Sequence, residues 1–246
     1  MTALEAAGGG VTDIYDALAP HYRDYARQKA AYLDAVDRFI VEHAPAGRRA
    51  LLDVGAGDGV RGMALARCLG AVRVVLAEPS REMAARCREL GADAVWETPA
   101  EALPQSELRF DVVLCLWNVL GHMGGRAGRL AALQAMRRLL APGGALFLDV
   151  NNRHNAAAYG SLRVLARRCA DFLRPDERRG DAAYEWRIGG LTLPGMGHLF
   201  TPAEIEAMIR ESGLEIRGRV AVDYATGRYS PSPFRGQLLY QAVQAA

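Results

Sequence analysis

The residues best suited to chemistry in this chain stand together as Leu51-Leu52-Asp53-Val54-Gly55-Ala56-Gly57-Asp58-Gly59. An apolar run leads into three glycines at every second position, and an amphipathic run begins directly after them. Glycine lets the backbone pass close to a ligand and adopt positive φ. The N-terminus of a helix that follows supplies oriented N–H groups. The spacing is G-x-G-x-G, whereas a dinucleotide fingerprint asks for a third glycine at position 60, which is Val60. Asp53, just before the glycines, would repel a pyrophosphate and attract a ligand carrying an ammonium and a sulfonium. Beyond the loop, the apolar run Val74-Val75-Leu76-Ala77 ends in Glu78, a carboxylate able to accept hydrogen bonds from both hydroxyls of a ribose.

Two further polar clusters follow buried apolar runs: Leu116-Trp117-Asn118-Val119-Leu120-Gly121-His122 and Asp149-Val150-Asn151-Asn152-Arg153-His154-Asn155. His122 and His154 are the candidate general bases, and His198 is a third; histidine titrates in the useful range. Each could equally cap a helix or bridge loops. Asn118 and Asn151 are placed to orient an acceptor. Arg153 either pairs with an acidic group on the substrate or forms a surface salt bridge.

These clusters need a scaffold, and the chain of 246 residues is long enough for one large core. From residue 49 onward short apolar runs (50–54, 72–77, 94–96, 110–117, 145–151) alternate with amphipathic helices (59–69, 80–90, 126–140). That alternation predicts an α/β fold: a doubly wound, mostly parallel, seven-stranded sheet with helices on both faces. Ligands bind such sheets at the carboxyl ends of the strands. Residues 12–43 read as a helix in two pieces broken near Pro20, with Tyr15, Tyr22, Tyr25 and Tyr32 near one face. Residues 154–173 read as helix, 183–188 as a strand, and 214–222 and 237–243 as an edge hairpin. Thr201-Pro202-Ala203-Glu204 is a helix start. The expected division is an N-terminal helical lid (1–48), an α/β core (49–151), a helical cap insertion after the fifth strand (152–198), and a helix with hairpin completing the sheet (199–246).

Together the motifs resemble the class I S-adenosyl-L-methionine (SAM)-dependent methyltransferases of small-molecule type. Residues 51–59 match their first motif, Glu78 the acid after their second strand, 110–117 their fourth strand, and Leu139-Leu140-Ala141-Pro142-Gly143-Gly144 the turn before their fifth. The resemblance implies that the backbone at Gly55, Ala56 and Gly57, with Asp53 behind it, receives the methionine moiety. It implies that Glu78 holds the ribose and that Pro79 and Met83 flank the adenine. Ala100 and Glu101 belong to the segment that meets the adenine amine. The aspartate many members carry before that alanine is Pro99 here, which leaves Glu97, Glu101 or backbone groups for the task. Tyr15 and Tyr22 are similar to the leading helix that folds over the cofactor, or are ordinary tyrosine packing. Leu116 and Trp117 would face the transferred methyl.

The chain has 30 basic and 28 acidic residues, a net of +2, too balanced for a protein devoted to polyanions. The Asn/Asp-Pro-Pro-aromatic motif of base-amine methylases is missing after the fourth strand, which argues against nucleic acid as acceptor. The expected partner is a small-molecule acceptor, methylated on oxygen or nitrogen in bacterial specialised metabolism, with S-adenosylhomocysteine as the spent cofactor. No segment is long and apolar enough for a membrane span, so no membrane partner is expected. The four cysteines are widely spaced, which suits reduced thiols in a cytoplasmic monomer or homodimer with no metal site. Three rivals remain: an NAD(P)-dependent oxidoreductase, which the glycine spacing disfavours, a non-catalytic SAM-binding or scaffold protein, and a SAM-binding fold that catalyses something other than methyl transfer.

Overall fold

Residues 51–54, 74–77 and 112–115 are buried without interruption, and a strand covered on both faces must lie inside a layered structure. The computed structural model, which describes residues 11–47, 49–188 and 190–245, shows that structure. In chain order the core carries β1 (Arg49–Val54), α4 (Val60–Leu69), β2 (Ala71–Ala77), α5 (Arg81–Arg88), β3 (Ala94–Trp96), β4 (Phe110–Cys115), α6 (Gly125–Leu139) and β5 (Leu140–Val150). It is preceded by α1 (Val11–Leu18), α2 (Tyr22–Arg27) and α3 (Ala30–His43). After β5 come α7 (Ala156–Tyr159), α8 (Ser161–Leu173), β6 (Asp181–Ile188), β7 (Leu191–His198), α9 (Pro202–Glu211), β8 (Leu214–Val222), β9 (Tyr229–Ser230) and β10 (Gln237–Gln244).

The main sheet has the order β3-β2-β1-β4-β5-β10-β8-β9. β1 to β5 pair in parallel, while β10 runs antiparallel to both β5 and β8. The chain winds outward from β1 in one direction and from β4 in the other. The crevice at the carboxyl ends of β1 and β4 is therefore the topological switch point, where such sheets take their ligands. Alternate side chains serve opposite faces. Leu52, Val54, Val113 and Cys115 pack with α6 and α9 residues such as Met136 and Ile209. Leu51, Val112 and Leu114 pack with Val36, Phe39 and Ile40 of α3 and Leu65 of α4.

Several elements depart from the sequence expectation. The sheet counts eight strands, the extra one being the two-residue β9. The leading helix breaks twice, at a 3-10 turn holding Pro20 and again at Gln28–Lys29. β4 stops at Cys115 because Trp117 and Asn118 turn into left-handed conformation, φ 62° and 63°. Pro142, Gly143 and Gly144 make a bulge inside β5 rather than a free turn. The segment after β5 is not purely helical. Gly160, φ 82°, splits α7 from α8, and β6 pairs along its whole length with the unexpected β7. Residues 1–10, at the start of the expected lid, lie outside the described residues.

Candidate active site

β1 delivers the glycine loop to the switch point. Gly55 and Ala56 donate their N–H groups to the Ala77 carbonyl at 2.8 and 3.1 Å, which ties the loop to β2. Gly57 donates to Glu78 Oε2 at 2.8 Å, and Ser80 donates to Oε1 at 2.9 Å. Gly55 and Gly57 have φ of 71° and 58°. A Cβ at Gly57 would lie 2.7 Å from the Tyr22 hydroxyl, and one at Gly55 would collide with Val119. The loop is a cradle that side chains would fill, which fits a ligand pressed against bare backbone.

The two acids behind this cradle are buried, and burial pushes each carboxyl up to about 7. For Asp53 the neighbouring Arg61 pulls the other way; for Glu78 the backbone N–H groups of Ser80 and Gly57 do so. Each Glu78 oxygen uses one lone pair on backbone, and its second remains for a ribose hydroxyl. Buried carboxylates with raised pKa suit a cationic ligand, whose charge restores their ionised form.

A cavity of about 630 Å³ opens over the loop, within the range of small-molecule sites. Its wall includes Tyr15, Tyr22, Gly55, Gly57, Glu78, Pro79, Ala100, Glu101, Leu116, Trp117, Asn118, His122 and Asn151, all anticipated from sequence. Helix α1 is fastened over it: Asp16 accepts from Ser80 Oγ at 2.5 Å and from the Glu82 N–H at 3.1 Å. Arg23 of α2 pairs with Asp58 of the loop at 2.9 Å. Three anticipated cofactor contacts lie off the wall. Asp53 sits behind the loop against Gly62 of α4, Ala56 is buried in the core cluster with α3 and α4, and Met83 is fully buried on the inner face of α5. Glu97 pairs with Arg88 at 2.5 Å, while Glu101 lines the cavity.

On the acceptor side, His122 accounts for both ring nitrogens. Nδ1 lies 3.2 Å from the Met196 carbonyl of β7, and Nε2 lies 3.2 Å from the Tyr15 hydroxyl. A carbonyl only accepts, so Nδ1 carries the hydrogen and Nε2 presents its lone pair. Burial lowers the His122 pKa, which favours the neutral ring. Trp117 is stacked by Tyr25 at 5.2 Å and donates its indole N–H to Tyr224 at 2.9 Å. The left-handed turn at Trp117 and Asn118 is held from β5. Asp149 Oδ1 accepts the Trp117 N–H at 2.5 Å, its carbonyl accepts that of Asn118, and Tyr32 bonds its other oxygen. Asn118 Oδ1 in turn accepts the Asn151 N–H at 2.9 Å.

Three expected acceptor residues are not brought to the cavity. His154 Nε2 lies 3.0 Å from Asp171 of α8, and Arg153 bonds the same carboxylate at 3.0 Å. His198 is buried between Asp181 and Glu204, 2.7 Å from each. Arg153 and His154 hold α8 within the cap, and His198 joins the cap to α9. Sequence reasoning left out Tyr25, Tyr159, Tyr184 and Gln237 as wall residues. Tyr25 had a signal in the tyrosine spacing, whereas Tyr184 and Gln237 reach the wall only through strand pairing. Tyr224, between β8 and β9, also lines the cavity, while Phe234 faces His154 and Arg168 instead.

Comparison with known proteins agrees with this geometry. A family model described as a methyltransferase domain matches residues 51–144. A ubiquinone biosynthesis O-methyltransferase of Methylococcus capsulatus is 35% identical over 173 residues, covering 65% of this chain and 70% of that protein. Among solved structures, the sugar N-methyltransferase KedS8 from Streptoalloteichus superposes with a TM-score of 0.62 at 22% identity, covering 92% of this chain and 91% of that one. The 1,6-didemethyltoxoflavin-N1-methyltransferase of Burkholderia thailandensis, solved with S-adenosylhomocysteine, gives 0.61 at 17% identity, covering 100% and 92%. The glycine cradle, the buried acid after the second strand and these relatives agree: the chain belongs to the class I SAM-dependent methyltransferases.

Proposed function

We propose that the acceptor is a small molecule methylated on a hydroxyl oxygen, with His122 as the general base. The observation that carries this reading is the His122 geometry: a neutral ring whose basic nitrogen is turned to the cavity and hydrogen-bonded to Tyr15. The Methylococcus relative, named an O-methyltransferase of ubiquinone biosynthesis, is in keeping with an oxygen acceptor in a biosynthetic route.

SAM, when bound, would supply an electrophilic methyl group, its sulfur leaving as the thioether of S-adenosylhomocysteine. The chain's residues do the rest. The backbone of Gly55 and Gly57 would hold the methionine moiety, Asp53 would supply negative charge from behind it, and Glu78 would accept from the ribose. Pro79, Ala100 and Glu101 would enclose the adenine, while Tyr15, Tyr22, Leu116 and Trp117 would exclude water from the reacting end. Asn118 and Asn151 fix the floor under the acceptor. His122 Nε2 takes the hydroxyl proton as the O–C bond forms, either directly or through the Tyr15 hydroxyl, and the Met196 carbonyl bonds the resulting imidazolium through Nδ1–H.

The test is turnover of a panel of phenols, alcohols and amines by the native protein and by His122→Ala. A base of this kind contributes on the order of 10²–10⁴-fold, so the variant should lose that much kcat on the hydroxyl acceptor and keep its affinity for S-adenosylhomocysteine. Transfer to an amine that is indifferent to His122→Ala would overturn the oxygen assignment, because an amine arriving neutral needs no base.

A further inference from the structure

Helix α1 touches both halves of the cavity through two adjacent side chains. Consecutive helical residues project about 100° apart, and Tyr15 and Asp16 use that angle to reach different walls. On the acceptor side, the Tyr15 hydroxyl lies 3.2 Å from His122 Nε2, and its ring meets the imidazole edge-on at 5.8 Å. On the cofactor side, one Asp16 oxygen accepts the Ser80 hydroxyl at 2.5 Å and the Glu82 N–H at 3.1 Å. Ser80 is fully buried and its groups are committed: its N–H is donated to Glu78 Oε1, and its side-chain oxygen accepts the Met83 N–H. A carboxylate only accepts, so the Ser80 hydroxyl hydrogen belongs to Asp16. An unbroken path of hydrogen bonds and adjacent residues therefore runs from Glu78 through Ser80, Asp16 and Tyr15 to His122. A second polar fastening, Arg23 of α2 to Asp58, ends in an arginine that is 55% exposed and holds less firmly.

We propose that Asp16 is a positioning residue for His122: by latching α1 to Ser80 it brings the Tyr15 hydroxyl to Nε2, and it couples that contact to the cofactor's seat at Glu78. The inference rests on the reading of His122 as the base. Tyr15, Leu18 and Tyr22 line the cavity, and the Tyr22 hydroxyl stands over Gly57. These side chains meet a cofactor on the glycine loop only while α1 is down. A ribose held by Glu78 also fixes the carboxyl that binds the Ser80 N–H. Both effects favour the latched helix, and the latched helix is the one that presents Tyr15 to His122. Such coupling is reciprocal, so the contact between Tyr15 and His122 tightens the cofactor by the same factor. The hydrogen bond from Tyr15 keeps the basic lone pair aimed at the cavity. The acceptor's hydroxyl then takes the place of Tyr15 or passes its proton through it.

The experiment is nitrogen-15 NMR of the full chain labelled at histidine and saturated with S-adenosylhomocysteine, at about pH 8, above the histidine range. His122→Gln assigns the His122 signals, and Tyr15→Phe sets the position of Nε2 without the tyrosine hydrogen bond. The native Nε2 signal should be displaced from that position. Asp16→Ala should lose most of the displacement and weaken S-adenosylhomocysteine about five-fold. Asp16→Asn, which keeps an acceptor oxygen, should restore most of the displacement and bring affinity to within about two-fold of native. Ser80→Ala, which removes the donor and leaves Asp16 in place, should reproduce the loss seen in Asp16→Ala. In the Tyr15→Phe background Asp16→Ala should leave Nε2 unmoved, because the path is already cut. A full native displacement in Asp16→Ala would overturn the proposal. So would equal losses in Asp16→Ala and Asp16→Asn, which would make Asp16 a packing residue of α1. None of these readouts needs turnover, so an acceptor that proves to be an amine leaves the outcome standing, while His122→Ala answers for the base.

Discussion

Asp53 and Glu78 are carboxylates kept where ionisation is unfavourable, and this gives the ligand-free protein a pH signature. Both are raised by burial to about 7, well above the ordinary carboxylate range. A carboxyl raised in the folded state favours folding at pH below its unfolded value, and that contribution is lost as pH climbs through 7. These two groups should therefore lower the thermal stability of the ligand-free protein between about pH 4.5 and 7.5. Asp53→Asn should remove its share, stabilising the free protein at pH 8 by up to about 4 kcal/mol while weakening S-adenosylhomocysteine binding. Melting curves and calorimetric titrations of the variant at pH 5 and pH 8 check both halves; a variant no more stable than native at pH 8 would disprove the strain. His122 moves the other way. Its lowered pKa places the acid limb of kcat/KM for the acceptor, measured at saturating SAM so that Asp53 and Glu78 are held ionised, below 6.5, and a limb above that value would remove His122 from the role of base. At this scale the sequence was most legible where backbone chemistry demands one residue type, as in the glycine loop and Glu78. His154 and His198 read as candidates because they stand in loops at strand ends. Their partners, Asp171 of α8 and Asp181 with Glu204, come together only through tertiary packing.

The turn after β4 shows an element bent to serve the site. Two successive non-glycine residues in the left-handed region oppose the chirality of the chain by roughly 1–2 kcal/mol each, yet Trp117 and Asn118 adopt it. Asp149 and Tyr32 offset that strain by gripping the turn from β5 and α3. Asp149→Ala leaves the Trp117 N–H and the Tyr32 hydroxyl without their acceptor, and should destabilise the protein by about 2–4 kcal/mol. Tyr32→Phe removes one hydrogen bond and should lose less, about 1–3 kcal/mol. Denaturant titrations rank the two, and Trp117 should move in tryptophan fluorescence; equal, small losses would mean that the turn holds itself. None of this strain is visible in a sequence, where residues 110–117 read as one unbroken strand. β7 was hidden for the converse reason. Leu191-Thr192-Leu193-Pro194-Gly195-Met196-Gly197-His198 holds a proline and two glycines, all poor strand formers. Pairing with β6 overrides them, and the Tyr184 ring lies over Gly195 and Gly197 where a Cβ would collide. By contrast, Thr201 and Glu204 form the capping box at the helix start that their spacing predicted.

At the scale of the molecule, the cap and His122 are one mechanical unit. β6 contributes Tyr184, 3.4 Å from His122 Nδ1, and β7 contributes the Met196 carbonyl that fixes the tautomer. The hairpin is fastened at its base by His198, which bridges Asp181 of β6 to Glu204 of α9, and by Arg129 of α6, 3.3 Å from Asp181. His198 is nowhere near the glycine loop, so its loss should divide the two halves of the site. His198→Ala should speed amide exchange in residues 181–198 roughly 10- to 100-fold, the equivalent of one or two lost charge-assisted hydrogen bonds, with β1 and β4 unchanged. Once Met196 no longer fixes Nδ1–H, kcat should fall while affinity for S-adenosylhomocysteine stays within about two-fold of native, less than 0.5 kcal/mol. His198→Gln, able to reach one of the two carboxylates, should recover part of both effects. A variant that lost cofactor affinity and kcat together, or exchanged faster throughout the sheet, would show His198 to be a general stabiliser of the fold. The divided outcome would establish that the cap holds the base in its working tautomer from the far side of the cavity.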